Sequence, residues 1–280
     1  MTDGPSPARA EAGPPAPGSI LRAGAWWHRR DDGTWLRWDE DLRRWTPHPT
    51  PPPPDPVPPH RPLSTPRGWT VWLLGIVVAV NVAAVISDVA ELALIQQVVR
   101  GEEITLREGL ANDTRQAWFA VAQALAVLPA GSAFLVWFHR AYRNLRALGA
   151  TNPRFGTGWA IGVWFVPILN LWRTKQIAND IWRASDPQAP VEQEGGWRGG
   201  AVSPFLGWWW GLWVGGGLIG LVVLWQDPAT LEGIQAISLV VTLVDVLAVG
   251  AAILAIQVVR TLTDRQEARA RLVFAPPAPA

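Results

Sequence analysis

The chain has 280 residues, of which 49% are hydrophobic and only 17% charged, against about 25% charged in an ordinary soluble domain. A formal net charge of +1 excludes a strongly basic nucleic-acid binder, and the absence of Cys excludes a disulfide framework, a thiol nucleophile and Cys-based metal sites. The 19 Trp and the clustering of apolar residues into runs point instead to a membrane protein with interfacial aromatic anchors.

Residues 1–23 are rich in Pro, Ala and Gly without periodicity and are expected to form a disordered tail. No cleaved signal peptide is expected, because the first long apolar run begins only near Gly68. Residues 24–48 hold Trp26, Trp27, Trp35, Trp38 and Trp45, with Asp31-Asp32-Gly33 as a turn signal. A small β-ribbon of two or three strands is predicted. So short a module buries little core, so Trp faces and Arg planes are expected to stack on one another. The early Trp pair, the Asp-Gly turn, Leu36-Arg37-Trp38-Asp39 and Arg44-Trp45-Thr46-Pro47 resemble a short Trp-rich module of actinobacterial membrane proteins, domain of unknown function 2510. Residues 49–66 are mostly Pro and predict a disordered, stiff polyproline linker. A docking segment for a Pro-binding partner is the alternative.

Four apolar runs are long enough to span a bilayer: Gly68–Ile86, Ala117–Phe138, Pro204–Trp225 and Ile234–Val259. A fifth, Trp159–Trp172, has only 14 residues with Pro167 inside, which suits a re-entrant or interfacial segment. It leads into an amphipathic stretch, Arg173–Ser185. Charge fixes the expected orientation. Ser87–Gln116 is rich in Asp and Glu, and Gln226–Gly233 carries only Asp227 and Glu232. Arg140, Arg143, Arg146, Arg154, Arg173, Lys175 and Arg260 flank the other ends. Four spans with both termini cytoplasmic, in a cell (inner or plasma) membrane, satisfy every flank. With five spans the C-terminal tail would move outside. The fold class is therefore an all-α membrane protein with four transmembrane helices plus a short re-entrant or interfacial segment, the alternative being five spans.

The middle of the chain resembles a bacterial multipass membrane family, domain of unknown function 4328. The residues that carry the resemblance are Trp137-Phe138-His139-Arg140, Gly158-Trp159-Ala160, Trp164-Phe165, Pro167-Ile168, Asn170-Leu171-Trp172, Asp180-Ile181-Trp182 and Trp209-Trp210-Gly211. It extends over about residues 68–262, with Arg173-Thr174-Lys175 departing from the family's usual pattern. The resemblance implies a membrane fold and no activity.

Asp245 is the most costly residue, since it falls mid-span, where an ionised carboxylate costs at least a few kcal/mol unless sheltered. Gln235, Ser238, Thr242 and Asp245 share one helical face, continued by Ala248 and Ala252. That stripe is read as a proton or cation site, or else as interhelical hydrogen bonding that fixes packing. Gln123 and Asn81 are its candidate partners on other spans. Gly207, Gly211 and Gly215, then Gly216 and Gly220, are read as close helix packing or dimerisation. Trp159, Trp164, Trp172, Trp182, Trp208, Trp209, Trp210 and Trp213 are read as an interfacial belt, or as the wall of a lipid or ligand groove beside the broken segment. His139 and Arg140 are expected to reach lipid phosphates. Catalytic motifs are missing: no Gly-x-Ser-x-Gly, no His-Glu-x-x-His, no phosphate loop ending in Gly-Lys-Ser/Thr. No enzyme activity, cofactor or metal is expected. The partners expected are the lipid bilayer, a protein bound by the Trp-rich module or proline linker, and a second copy of the chain; nucleic acid is not. The expected role is a structural or regulatory membrane anchor presenting the Trp-rich module. The alternative is a small transporter or channel subunit that uses the intramembrane Asp.

Overall fold

The computed structural model describes residues 18–22, 25–53, 57–188 and 196–274. They fall into two compact units, divided between Val57 and Pro58.

The first unit is a four-stranded antiparallel meander, β1 (Ile20–Arg22), β2 (Ala25–Arg29), β3 (Trp35–Asp39) and β4 (Arg44–His48). The predicted turn joins β2 to β3. Asp32 accepts from the Thr34 backbone N–H at 2.8 Å, and Gly33 sits at φ 88°, a conformation that glycine takes without steric cost. The register sets Trp38 opposite Trp45, edge to face at 5.5 Å, while Trp27 and Leu36 are buried. The stacking expected of Arg and Trp is present: Arg37 lies 5.9 Å from the Trp27 ring and Arg29 5.9 Å from Trp35. The sheet has one strand more than the ribbon read from the sequence. β1 lies in the supposed tail, where Ile20 and Leu21 pair with Trp27 and Trp26 and cover an otherwise open edge. The remainder of the tail, 1–17 and 23, lies outside the described residues.

The linker is also less free than expected. Pro52 is buried within the first unit. In the second unit, α1 (Ser64–Val99) begins before the linker was expected to end. The residues preceding it form a strap: the Arg61 N–H donates to Asn144 Oδ1 at 3.1 Å, the Asn144 amide donates to the Arg61 carbonyl at 2.8 Å, and the Leu63 N–H donates to Glu267 at 2.9 Å. Leu63 is fully buried. Backbone groups that a solvated polyproline segment would leave to water are thus taken up by side chains of other helices.

The second unit continues with α2 (Leu106–Ala147), α3 (Trp159–Gly162), a 3₁₀ turn at Val163–Phe165, α4 (Pro167–Asn170), α5 (Arg173–Ala184), a second 3₁₀ turn at Gly196–Gly199, α6 (Pro204–Val223) and α7 (Leu231–Val273). Four helices, α1, α2, α6 and α7, are long and apolar enough to cross a membrane. α1 packs on α2 and α7, and α6 packs on α7. α1, α2 and α7 outrun the apolar stretches that mark them, because nothing in the flanking polar sequence breaks a helix. Thr105 and Glu108 form a reciprocal capping box that starts α2, and Thr230 caps α7. Pro129 lies inside α2, which continues through it.

The short run is broken as expected. Val166 is extended ahead of Pro167, as the ring of a following proline demands. The segment leaves and returns at one end of the bundle. Before it, Thr151 and Asn152 accept from Trp197 (3.0 Å) and Arg198 beyond it. Arg154 also lies 3.7 Å from Asp180 of α5. The run thus starts and ends at the same end of the bundle, as a re-entrant or interfacial segment would. α5 is the predicted amphipathic helix, burying Thr174, Ile177, Ala178, Ile181 and Ala184 at helical spacing.

Candidate functional site

Asp245 sits on α7 inside the bundle, and the partners expected for it are the ones it has. The Gln123 amide of α2 donates to both Asp245 carboxylate oxygens at 3.0 Å and lies 3.1 Å from Asn81 Oδ1 of α1. Asn81 is buried and donates in turn to the Val77 carbonyl at 2.8 Å. Three helices are thereby joined through one amide. The rest of the α7 stripe takes a smaller part. Ser238 is buried, and the Thr242 hydroxyl donates to the Ser238 carbonyl at 2.8 Å. Gln235 is only half-buried, near the start of α7.

A second polar group, which hydropathy alone does not reveal, continues toward the α1–α2 loop. Asp88 of α1 is 3% exposed and faces Asp245, near enough for their side chains to hydrogen-bond. Gln116 of α2 donates to Asp88 at 3.3 Å and to Glu91 at 2.7 Å, and accepts from Ser87 at 2.9 Å. Arg115 donates to the Ser87 hydroxyl at 2.9 Å and to Asn112 at 2.6 Å. Ser87, Asp88 and Glu91 lie beyond Ile86, where the apolar run ends, and so read as loop. The helix does not end there. Asn81, Ala84 and Asp88 share a face at spacings of three and four, which is the signal that would have found them.

Below Asn81, toward the Arg-rich end, lies a cavity of about 640 Å³ whose wall includes Leu74, Asn81, Phe134, Trp164, Trp209 and Ala252. Its walls are apolar and aromatic, within the size range of small-molecule sites. It lies beside the broken segment, lined by Trp164, Pro167 and Asn170 of that segment.

Several expected roles change. Trp209 and Trp210 are buried, so they are core and not belt, and the family-motif residue Trp137 is buried with them. Trp137 donates to the Thr263 hydroxyl at 3.0 Å, and Trp210 to the Leu171 carbonyl at 3.1 Å, which ties the re-entry to α6. Trp164 meets Phe134, Phe138, Trp210 and Trp213 edge to face, the arrangement that ring quadrupoles favour. Trp159, Trp172, Trp208 and Trp213 stay exposed and fit a belt. Trp182 donates to the Ala201 carbonyl at 3.0 Å beneath the Arg265 guanidinium, 4.1 Å from its ring. His139 and Arg140 both lie against backbone: His139 Nδ1 is 3.1 Å from the Thr157 carbonyl, and Arg140 donates to Pro62 at 3.4 Å. Pro167 opens α4 and Asn170 accepts from the Thr174 hydroxyl at 2.8 Å. Gly211 and Gly215 would meet no atom within 4 Å on gaining a Cβ, and Gly207 only the end of Lys175. The close approach of α6 to α7 falls on the second expected repeat, Gly216 and Gly220, and on Gly250, next to Leu247, Val244 and Leu212. Packing rotates α6 by a residue from the face that the first repeat suggested.

At the Arg-rich end, Asp180 of α5 is fully buried. Burial pushes its carboxyl above the ordinary Asp range, against the pull of Arg154, Arg183 and Arg198. Arg269 is also buried there, donating to the Leu148 carbonyl at 2.9 Å and to that of Asp186.

These features define a multipass α-helical membrane protein with a polar site inside its bundle. A family model, Domain of unknown function (DUF4328), matches residues 100–264, more than half of the chain, and the protein belongs to that family. The match begins after α1, so the resemblance read from residue 68 onward holds from 100. No curated protein and no solved structure matches the chain.

Proposed function

We propose that the protein is a small transporter or channel subunit of the cell membrane, with Asp245 as its proton- or cation-coupling group. The observation that carries this reading is the carboxylate itself. It lies within an apolar span, its oxygens are held by a single neutral amide from another helix, and a second acid faces it. An ionisable side chain inside the membrane is costly, and such residues mark functional sites by default. The apolar cavity next to Asn81 supports the reading, since a ligand there would lie one hydrogen bond from Gln123. Orientation follows from the positive charges, with both termini in the cytoplasm.

A second reading rests on the N-terminal sheet. It is a compact unit with its own buried Trp27 and Leu36, which suits an interaction module carried on a membrane anchor. The test is proton flux into proteoliposomes under an imposed potential, followed by an internal pH dye. The full chain should acidify the lumen, Asp245→Asn should slow this at least tenfold, and deletion of residues 18–53 should leave it unchanged. A full chain no faster than protein-free liposomes ends the transport reading and leaves the anchor reading.

A further inference from the structure

We propose that Asp88 and Asp245 form one proton-binding site inside the membrane, holding a single proton between their carboxyl groups and exchanging it with water at the α1–α2 end of the bundle. This rests on the reading of Asp245 as a coupling group and names its ligand, its partner and its side of access.

The donors and charges around the two carboxyl groups call for a proton between them. Asp88 comes from α1 and Asp245 from α7, and the two side chains meet across the helix pair. Asp245 has both oxygens on the Gln123 amide. Asp88 has one oxygen on Gln116, whereas its Oδ2 is buried with no hydrogen-bond partner among the described residues, in a residue 3% exposed. Two ionised carboxylates have four acceptor oxygens and no proton to offer each other. Side by side in a poorly polarisable surrounding they repel strongly. One proton removes both faults at once, since it converts an acceptor into a donor and one of the two charges into a neutral group.

The neighbouring charges do not supply a substitute. On α1 the next acid is Glu91, which adds negative charge and is itself bound by Gln116 and Asn112. On α2 the cation beside Asp88 is Arg115, turned toward Ser87 and Asn112. On α7 only Asp245 carries charge at this level, and α6 has no charged residue. Three carboxylates thus stand against one guanidinium. Access is one-sided. Toward the α1–α2 loop run Gln116, Glu91 and Asn112, whereas on the other side of Asn81 the cavity wall is apolar. Uptake moves one H⁺ from water to a carboxylate oxygen, and no other bond changes.

The test is infrared titration of the full chain in lipid nanodiscs, following the C=O band of protonated carboxyl groups in wild type, Asp88→Asn and Asp245→Asn. Each sample is first shown to be monodisperse by size exclusion. Sharing predicts two separated steps in the wild type that belong to the pair. Either substitution should leave one step, displaced by about one pH unit or more from both wild-type steps, because the coupling that split them is gone. If either substitution deletes one step and leaves the other in place, the carboxyls titrate independently and the proposal fails. It fails equally if the wild type shows no such band. Should one variant not fold, the other alone decides. Access is tested by a pH jump: Gln116→Leu should slow the band's response at least tenfold, and an unchanged rate removes the α1–α2 route. Proton binding is read without any flux, so a chain that binds this proton and passes no current overturns only the transport reading.

Discussion

Trp137→Ala should destabilise the bundle by about 3–5 kcal/mol, the range seen when a large aromatic is removed from a packed core. Trp137 is fully buried, with Phe134 5.3 Å and Phe138 6.2 Å from its ring. Its indole N–H also satisfies Thr263, itself 1% exposed, so truncation opens a cavity and leaves a buried hydroxyl without its donor. Trp137→Phe should cost less, since most of the ring volume stays and only the hydrogen bond is lost. Equilibrium unfolding of detergent-solubilised protein measures both. A Trp137→Ala loss below about 1 kcal/mol would mean that the site relaxes around the cavity and that this aromatic group does not hold α2 to α7.

The second large effect is expected at Arg269. Its guanidinium spans from α7 to Leu148, just past the end of α2, and to Asp186, two residues past α5. Hydrogen bonds to a charged group contribute roughly 1.5–3 kcal/mol each, so Arg269→Ala should cost about 3 kcal/mol or more. The loss should be local first. The re-entry and α5 would detach from the long helices, and limited proteolysis should cut near residues 186–200 at concentrations of protease that leave the wild type whole. Arg269→Lys should rescue only in part, because an ammonium lacks the planar fork that reaches two carbonyls at once. Identical cleavage of Arg269→Ala and wild type would show that α5 is held by its apolar face alone.

These positions also show how far the sequence could be read. The four crossings were legible, because long apolar runs have one physical meaning in a chain with so little charge between them. So were the partners of Asp245. A costly carboxylate in lipid needs a donor, and Gln123 and Asn81 were the polar side chains at matching depth. The amphipathic α5 was legible from its period. Asp88 was not, since hydropathy closes the first run at Ile86 while the helix continues to Val99. The aromatic core was misread as a belt because Trp belongs equally to interfaces and to interiors, and only tertiary packing separates Trp209 from Trp208. Of the two glycine repeats read as packing faces, only Gly216 and Gly220 meet α7, since the rotation of α6 about its axis is set by Leu212, Val244 and Leu247. The strap at Arg61 and Leu63 depends on Asn144 and Glu267, distant in sequence, and no local pattern announces it.

Four crossings, with the broken segment returning to the side it left, place Asp245 inside the bundle. The chain contains no Cys, so each introduced one is the sole target of a thiol reagent. Labelling of Glu103→Cys, Gln188→Cys and Asp227→Cys with a membrane-impermeant maleimide in intact cells tests this arrangement directly. Four crossings predict that positions 103 and 227 react together from outside and that 188 reacts only once the membrane is opened. Reaction of 103 from outside with 227 protected would mean a fifth crossing, and would place the residues around Asp245 in a different bundle.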